Sequence, residues 1–71
     1  MEFKWEEGFT IATRIEDDAI VVSANAAGLR SLANHLLTLA EDETKGAHLH
    51  LDEFNSLEDH SVELIIEKTP E

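Results

Sequence analysis

The chain has 71 residues, 42% of them hydrophobic, and carries 16 Asp and Glu against 5 Lys and Arg, a formal net charge of −11. That length leaves room for one small core, and the sign of the charge excludes nucleic acid and anionic membranes as natural partners while favouring a protein with a basic surface. Cysteine is absent, which removes disulfides and thiol chemistry and makes the cytoplasm the expected compartment, and no apolar run reaches signal-peptide length or the ~18 to 20 residues of a membrane span.

Residues 1–8 form a segment of open structure: Phe3 and Trp5 alternate, and either extend the first strand or, through the turn-like Glu6-Glu7-Gly8, make a short one of their own. From Phe9 to Ile15 the apolar Phe9, Ile11 and Ile15 share one parity and Thr10 and Arg14 the other, the period-two pattern of a half-buried strand. The acidic Glu16-Asp17-Asp18 breaks it, and Ala19 to Ala24 follows with Ile20, Val21 and Val22, so an antiparallel hairpin is expected. Asn25 is placed as the N-cap of a helix in which Leu29, Leu32, Ala33, Leu36, Leu39 and Ala40 make the buried stripe. Leu32 and Leu36 are expected in the core, with Arg30, Ser31, Asn34 and Thr38 facing water and His35 on the flank. Gly46 is expected to supply the helix stop. Ala47, Leu49 and Leu51 then alternate with His48, His50 and Asp52, and Val62, Leu64 and Ile66 with Glu63, Ile65 and Glu67, giving two more strands before Pro70 and a flexible tail, residues 69–71.

The expected architecture is a single α+β domain: a four-stranded antiparallel sheet in β-β-α-β-β order with one helix packed on one face. Elements of similar length running back and forth sort the loops by end. Glu16, Asp17 and Asp18 fall with Glu41, Asp42, Glu43 and the tail at Glu71, while Asp52-Glu53 and Glu58-Asp59 fall at the opposite end.

The first candidate site is that acidic rim, Glu16, Asp17, Asp18, Glu41, Asp42 and Glu43, read as a contact surface for a basic partner. The second triplet sits against the negative end of the helix dipole, each acid unfavourable by about 0.3 to 1 kcal/mol, and rules of this kind are broken mostly at functional sites. The plainer account is a solvated loop offset by Lys45. The second candidate is the sheet face left open by a single helix, carrying Thr10, Ala12, Arg14, Val21, Ser23, His48, His50, Glu63, Ile65 and Glu67, with His48, His50 and Ile65 as contact residues for a partner or a second copy in a homodimer. His48, His50 and Asp52 share a strand face and His60 could approach from the following loop, but without cysteine or a tight ligand motif the signal is weak, so no metal and no cofactor is expected. Asp59, His60 and Ser61 are neighbours in one loop, which does not make triad geometry; without a nucleophile or a phosphate-binding glycine loop, no enzymatic activity is expected. The competing function is a homo-oligomeric structural or regulatory module whose acids serve solubility.

The stretches AGLRSLANHLLTLA and GAHLHLDEFNSLEDHSVELIIEK, spanning Ala27 to Lys68, resemble a small family of bacterial immunity proteins of polymorphic toxin systems, the one numbered thirty-two. The likeness rests on the leucine-rich helix, the alternating Gly46, His48, His50 and Asp52 segment and the closing Ser61 to Lys68 strand, and does not extend to the N-terminal hairpin. It implies an α+β cytoplasmic antidote that binds a toxin domain and blocks it without catalysis of its own. Many such toxins are nucleases with basic clefts, which an acidic rim suits.

Overall fold

The computed structural model describes residues 4–70. Phe3 and Glu71, to which the sequence assigned a strand position and a place on the rim, lie outside the described residues. The order is β1 (Ile11–Glu16), β2 (Ala19–Ala24), α1 (Ala26–Glu41), β3 (His48–Leu51) and β4 (Leu64–Glu67). Trp5 is in no strand; its ring stacks on Phe9 at 4.6 Å and leans on His35 at 4.1 Å.

The β1–β2 hairpin pairs Ile11 with Ala24 through Glu16 with Ala19. Asp17 and Asp18 take φ of 49° and 66°, the two positive values of a type I′ turn, which matches the twist of paired strands and which Asp tolerates better than most side chains.

The expected single sheet of four strands is not formed: β1 pairs only with β2, and β3 only with β4, each antiparallel. The cause lies in residues 58–62, which run beside β1 without becoming a strand. The Glu58 and Val62 amides donate to the Ile11 and Thr13 carbonyls at 2.9 and 3.2 Å. Between them a turn closes from the Ser61 amide to the Glu58 carbonyl, with His60 at φ 69°. The remaining bonds come from side chains: the Thr13 amide donates to the Ser61 hydroxyl at 3.2 Å, and the Thr13 hydroxyl donates to the Val62 carbonyl. The two sheets are therefore joined by a polar seam instead of a ladder, and Thr13, on the parity of Ile11 and Ile15, is buried within it.

One helix is present as expected, and Asn25 caps it. Its Oδ1 accepts from the Gly28 amide at 2.7 Å and the Thr10 amide at 3.0 Å, and its Nδ2 donates to the Gly8 carbonyl at 2.9 Å. Gly28 touches the start of β1 so closely that a β-carbon there would lie 2.4 Å from the Thr10 carbonyl oxygen. This junction fixes the rotation of α1, and the inward face is Gly28, Ser31, Leu32, His35 and Leu39. At about 100° per residue, Leu29 and Leu36 turn to the flank, where they are 56% and 45% exposed. The expected leucine stripe is thus correct only at Leu32 and Leu39, and His35 and Ser31 belong to the core. Gly46 does not stop the helix either. Asp42 is the C-cap in an extended conformation, and Gly46 takes φ 81° in the turn in which the Ala47 amide reaches the Thr44 carbonyl, leading into β3.

The core is two small clusters under the helix. Ile11, Leu32, Leu51 and Leu57 make one, flanked by Phe9, Ala24 and Leu64; Leu39, Ala47 and Leu49 make the other, flanked by Ile66. The chain exposes 5214 Å², against roughly 4,400 Å² for a 7.9 kDa monomer of ordinary compactness.

The junction supports a prediction whose sign opposes helix propensity. Gly→Ala inside a helix normally gains close to 1 kcal/mol, but Gly28→Ala drives a methyl into backbone and is expected to lose about 1 to 3 kcal/mol. Leu32→Ala should cost about 2 to 5 kcal/mol and Leu36→Ala well under half of that. Urea melts of the three variants check both statements; equal losses at Leu32 and Leu36 would mean the helix is rotated otherwise.

Candidate partner-binding site

The open face of the β3–β4 hairpin alternates against the core as a two-residue period requires: Leu49 and Leu51 are buried while His48 and His50 are exposed. His50 stands opposite Ile65, and His48 opposite Glu67. The His50 Nε2 lies 3.0 Å from a Glu63 carboxylate oxygen and 3.7 Å from an Asp52 oxygen. Ile65 is 53% exposed beside them.

Asp52 also holds the loop that follows. Its Oδ1 accepts from the Phe54 and Asn55 amides, and its carbonyl from the amides of Asn55, Ser56 and Leu57. The outcome is that Leu57 turns into the core while Phe54 is displayed at 90% exposure, the most exposed large hydrophobic side chain among the described residues. Sequence reasoning passed over Phe54; the available signal was an aromatic residue in a polar stretch, Asp52-Glu53-Phe54-Asn55-Ser56, that no strand or helix period claims. An aromatic side chain displayed by a turn hydrogen-bonded to the Asp52 carboxylate is well suited to anchoring a protein partner.

His50, Asp52 and Glu63 place one potential ligand atom each within 4.8 Å of one another. The sequence had grouped His48, His50 and Asp52 with His60 in reach, and of these the structure brings together His50 and Asp52. His48 points its Nδ1 at the Gly46 carbonyl, 3.0 Å away, and the His60 amide is bound by Glu53. Glu63, which completes the trio, had been placed on the open sheet face but not among the possible ligands.

The acidic rim divides by what each carboxylate already does. Glu16 pairs with Arg14 at 2.7 Å. Asp42 accepts from the Thr44 amide at 2.7 Å, a bond that holds its carboxyl below the usual range. The helix end beside it is met by Lys68, not Lys45: the Lys68 ammonium donates to the Ala40 and Asp42 carbonyls, both at 2.8 Å. Asp17, Asp18, Glu41 and Glu43 are exposed and have no ion-pair partner among the described residues. The Asp17-Asp18 turn belongs to the first hairpin, while Glu41 ends α1 and Asp42 and Glu43 follow it, so no single element carries both triplets.

Along β3, a cleft of about 250 Å³ is lined by Trp5, His35, Asn55 and the strand residues 48–51, His48 and His50 included. Small-molecule sites run to roughly 300–1,000 Å³, so the cleft has room for a side chain more than for a substrate. His35 is 1% exposed at its base. Burial pushes its imidazole below the ordinary value near 6.5, opposed in part by a hydrogen bond with the Ser31 backbone.

The family model for Immunity protein 32 matches residues 19–69, from the first residue of β2 to the residue after Lys68. The match reaches into the N-terminal hairpin, beyond the Ala27 to Lys68 resemblance. No curated protein and no solved structure matches the chain. No helix among the described residues is long and apolar enough to cross a membrane.

Two predictions follow from this chemistry. Because the His35 imidazole is held neutral in the fold, the unfolded chain protonates first: stability is complete above pH 6.5 and declines as the pH falls from there through the folded-state value. Glu6 and Asp42 carry the opposite kind of shift, their carboxyls lowered by the Arg30 pair and the Thr44 amide from 4.5 and 3.8, so their contributions are lost only at more acid pH. Urea melts at about pH 7.5 and about pH 5.5 should show the loss, and His35→Leu should flatten it. Separately, the exposed His50–Glu63 contact is satisfied without an ion, and chelator is expected to leave the melting temperature unchanged; a fall of many degrees would show that the trio holds a structural metal.

Proposed function

The chain belongs to the Immunity protein 32 family, and from that premise we propose that it binds a toxin domain of a polymorphic toxin system and blocks it by occupying a basic surface that the toxin needs, without catalysis of its own. The observation that carries this reading is the uncompensated surface charge. Of five Lys and Arg, Arg14 is paired with Glu16, Arg30 with Glu6, and Lys68 is spent on the helix end. The field of 16 carboxylates therefore reaches solvent largely unopposed. Such a field steers a basic partner to the encounter, while packed contacts decide how long the complex lasts.

Asp17, Asp18, Glu41 and Glu43 supply steering, assisted by Glu16 and Asp42. Phe54, His50, Glu63 and Ile65 supply the packed contact, with His48 at its border. A nuclease is the toxin class that best fits an acidic antidote, because its substrate cleft must be basic. Action is in the cytoplasm, where such a toxin would meet its substrate. The homo-oligomeric module remains the second function, favoured by one observation, the unguarded outer edge of β2, which is treated below.

The test is to read the gene next to this one and, where it encodes a toxin domain, to measure binding of that domain. Asp17→Asn, Asp18→Asn, Glu41→Gln and Glu43→Gln together should slow association and flatten its dependence on salt. Phe54→Ala should raise the dissociation rate by tenfold or more, about 1.4 kcal/mol and above, with the salt dependence unchanged. Tight binding that ignores salt and survives both sets of changes would overturn the assignment of these surfaces.

A further inference from the structure

We propose that the protein pairs with a second copy of itself through the outer edge of β2, the two β2 strands running antiparallel about a two-fold axis to join their hairpins into one four-stranded sheet. The hydrogen-bonding pattern identifies the edge. The Asn25 amide donates to the Thr10 carbonyl, so in the alternating antiparallel ladder Ser23, Val21 and Ala19 bond to β1 while Ile20, Val22 and Ala24 turn their amides and carbonyls outward. The bonds on the far side of β1 agree, since the outward groups there are those of Ile11 and Thr13. Among the described residues nothing meets the backbone of Ile20 or Val22.

Natural edge strands are blunted by charge, proline, bulges or a covering loop. β3 is so treated: it is four residues long, Asn55 bonds the His50 carbonyl at 3.0 Å, and Trp5 lines the adjacent cleft. β2 has none of these devices. Its sequence is AIVVSA, without a charge or a proline, and Ile20 and Val22 are 74% and 40% exposed, next to Ile15 at 65%. These side chains continue the parity of Ile11 and Ala24 beyond the reach of α1.

The occupant is a second copy because the edge is self-complementary. A register that sets Val22 opposite Val22 of the second copy sets Ile20 opposite its Ala24, so every outward residue exchanges bonds. The same register brings Asp18 level with Ala26 of the second copy, the first helical residue. The first turn of α1 contains no acidic side chain of its own, and its positive end is complemented by the acidic turn of the other molecule; the two-fold makes this contact twice. The net charge of −11 opposes pairing. That repulsion is long-ranged and is screened by salt over about 8 Å at physiological ionic strength. Self-association therefore strengthens as salt rises, opposite in sign to capture of a basic toxin.

The experiment is sedimentation velocity on the chain alone, with no toxin present, at concentrations from about 1 to several hundred µM and at two ionic strengths. The expected result is a monomer–dimer equilibrium approaching twice 7.9 kDa, favoured at the higher salt, with Ile20→Lys monomeric and Ile65→Lys, on the open sheet face, unaffected. Thermal melts of both variants confirm that they fold, and slowed amide exchange at Ile20 and Val22 in the concentrated wild type provides a readout free of substitution. A monomer under all conditions, or a dimer lost with Ile65→Lys and kept with Ile20→Lys, would overturn the proposal. Toxin binding is measured apart from this, and Glu41, Glu43 and Phe54 take no part in the β2 edge, so their variants test the toxin surface whichever result is found here.

Discussion

The contact on which this small fold depends is the junction between the start of β1 and the first turn of α1. One side chain, Asn25, caps the helix through the Gly28 amide and ties down Thr10 and Gly8, and Gly28 lets the two backbones meet with no β-carbon between them. Once that approach is fixed, the rotation of the helix is fixed. Ser31 and His35 are then carried inward, where the Ser31 hydroxyl accepts from the Glu6 amide at 2.8 Å and donates to the Ala27 carbonyl. The N-terminal segment is pinned by the same residue, and Trp5 closes over His35. A polar strip on the inner face of the helix thus anchors Trp5 and Glu6, at the expense of leaving Leu29 and Leu36 outside.

Hydrophobic periodicity located every element, because alternation in β1, β2 and β3 and the helical run after Asn25 are properties of local sequence. The hairpin turn, the helix cap and the outward parity of His48, His50 and Ile65 were legible for the same reason. Helix rotation was not: six apolar residues, Leu29 to Ala40, define a broad stripe, and only a distant contact, Thr10 with Gly28, selects which side of it faces in. Neither was the division of the sheet. Whether β1 meets β4 by a ladder or a seam depends on Thr13, Ser61 and the positive φ of His60, residues far apart in the chain whose roles appear only when they meet. At the candidate site, Phe54 escaped notice because it obeys no period, and Glu63, although placed on the open face, was not joined to His50 because their link crosses between strands.

The charge of the molecule and its architecture act at different stages of recognition. Carboxylates at the turn and beyond the helix end are free to act at a distance because the few cations are committed locally, Arg14 and Arg30 to single partners and Lys68 to the helix carbonyls. Contact-range features lie elsewhere, on the face of the β3–β4 hairpin and the loop that displays Phe54. The outer edge of β2 is a third surface, remote from the β3–β4 face in the strand order, so pairing there leaves that face available. A thin core split into two clusters is consistent with a protein whose surfaces are completed by other molecules.

Membership of the Immunity protein 32 family makes neutralisation the central claim, and titration of a toxin's activity addresses it most directly. A cognate toxin domain, sought in the neighbouring gene and assayed on its own substrate, should lose its activity in proportion to added protein and reach complete inhibition near stoichiometric amounts, with residual activity returning as salt is raised. A toxin that stays fully active in the presence of saturating protein at low salt would contradict the account.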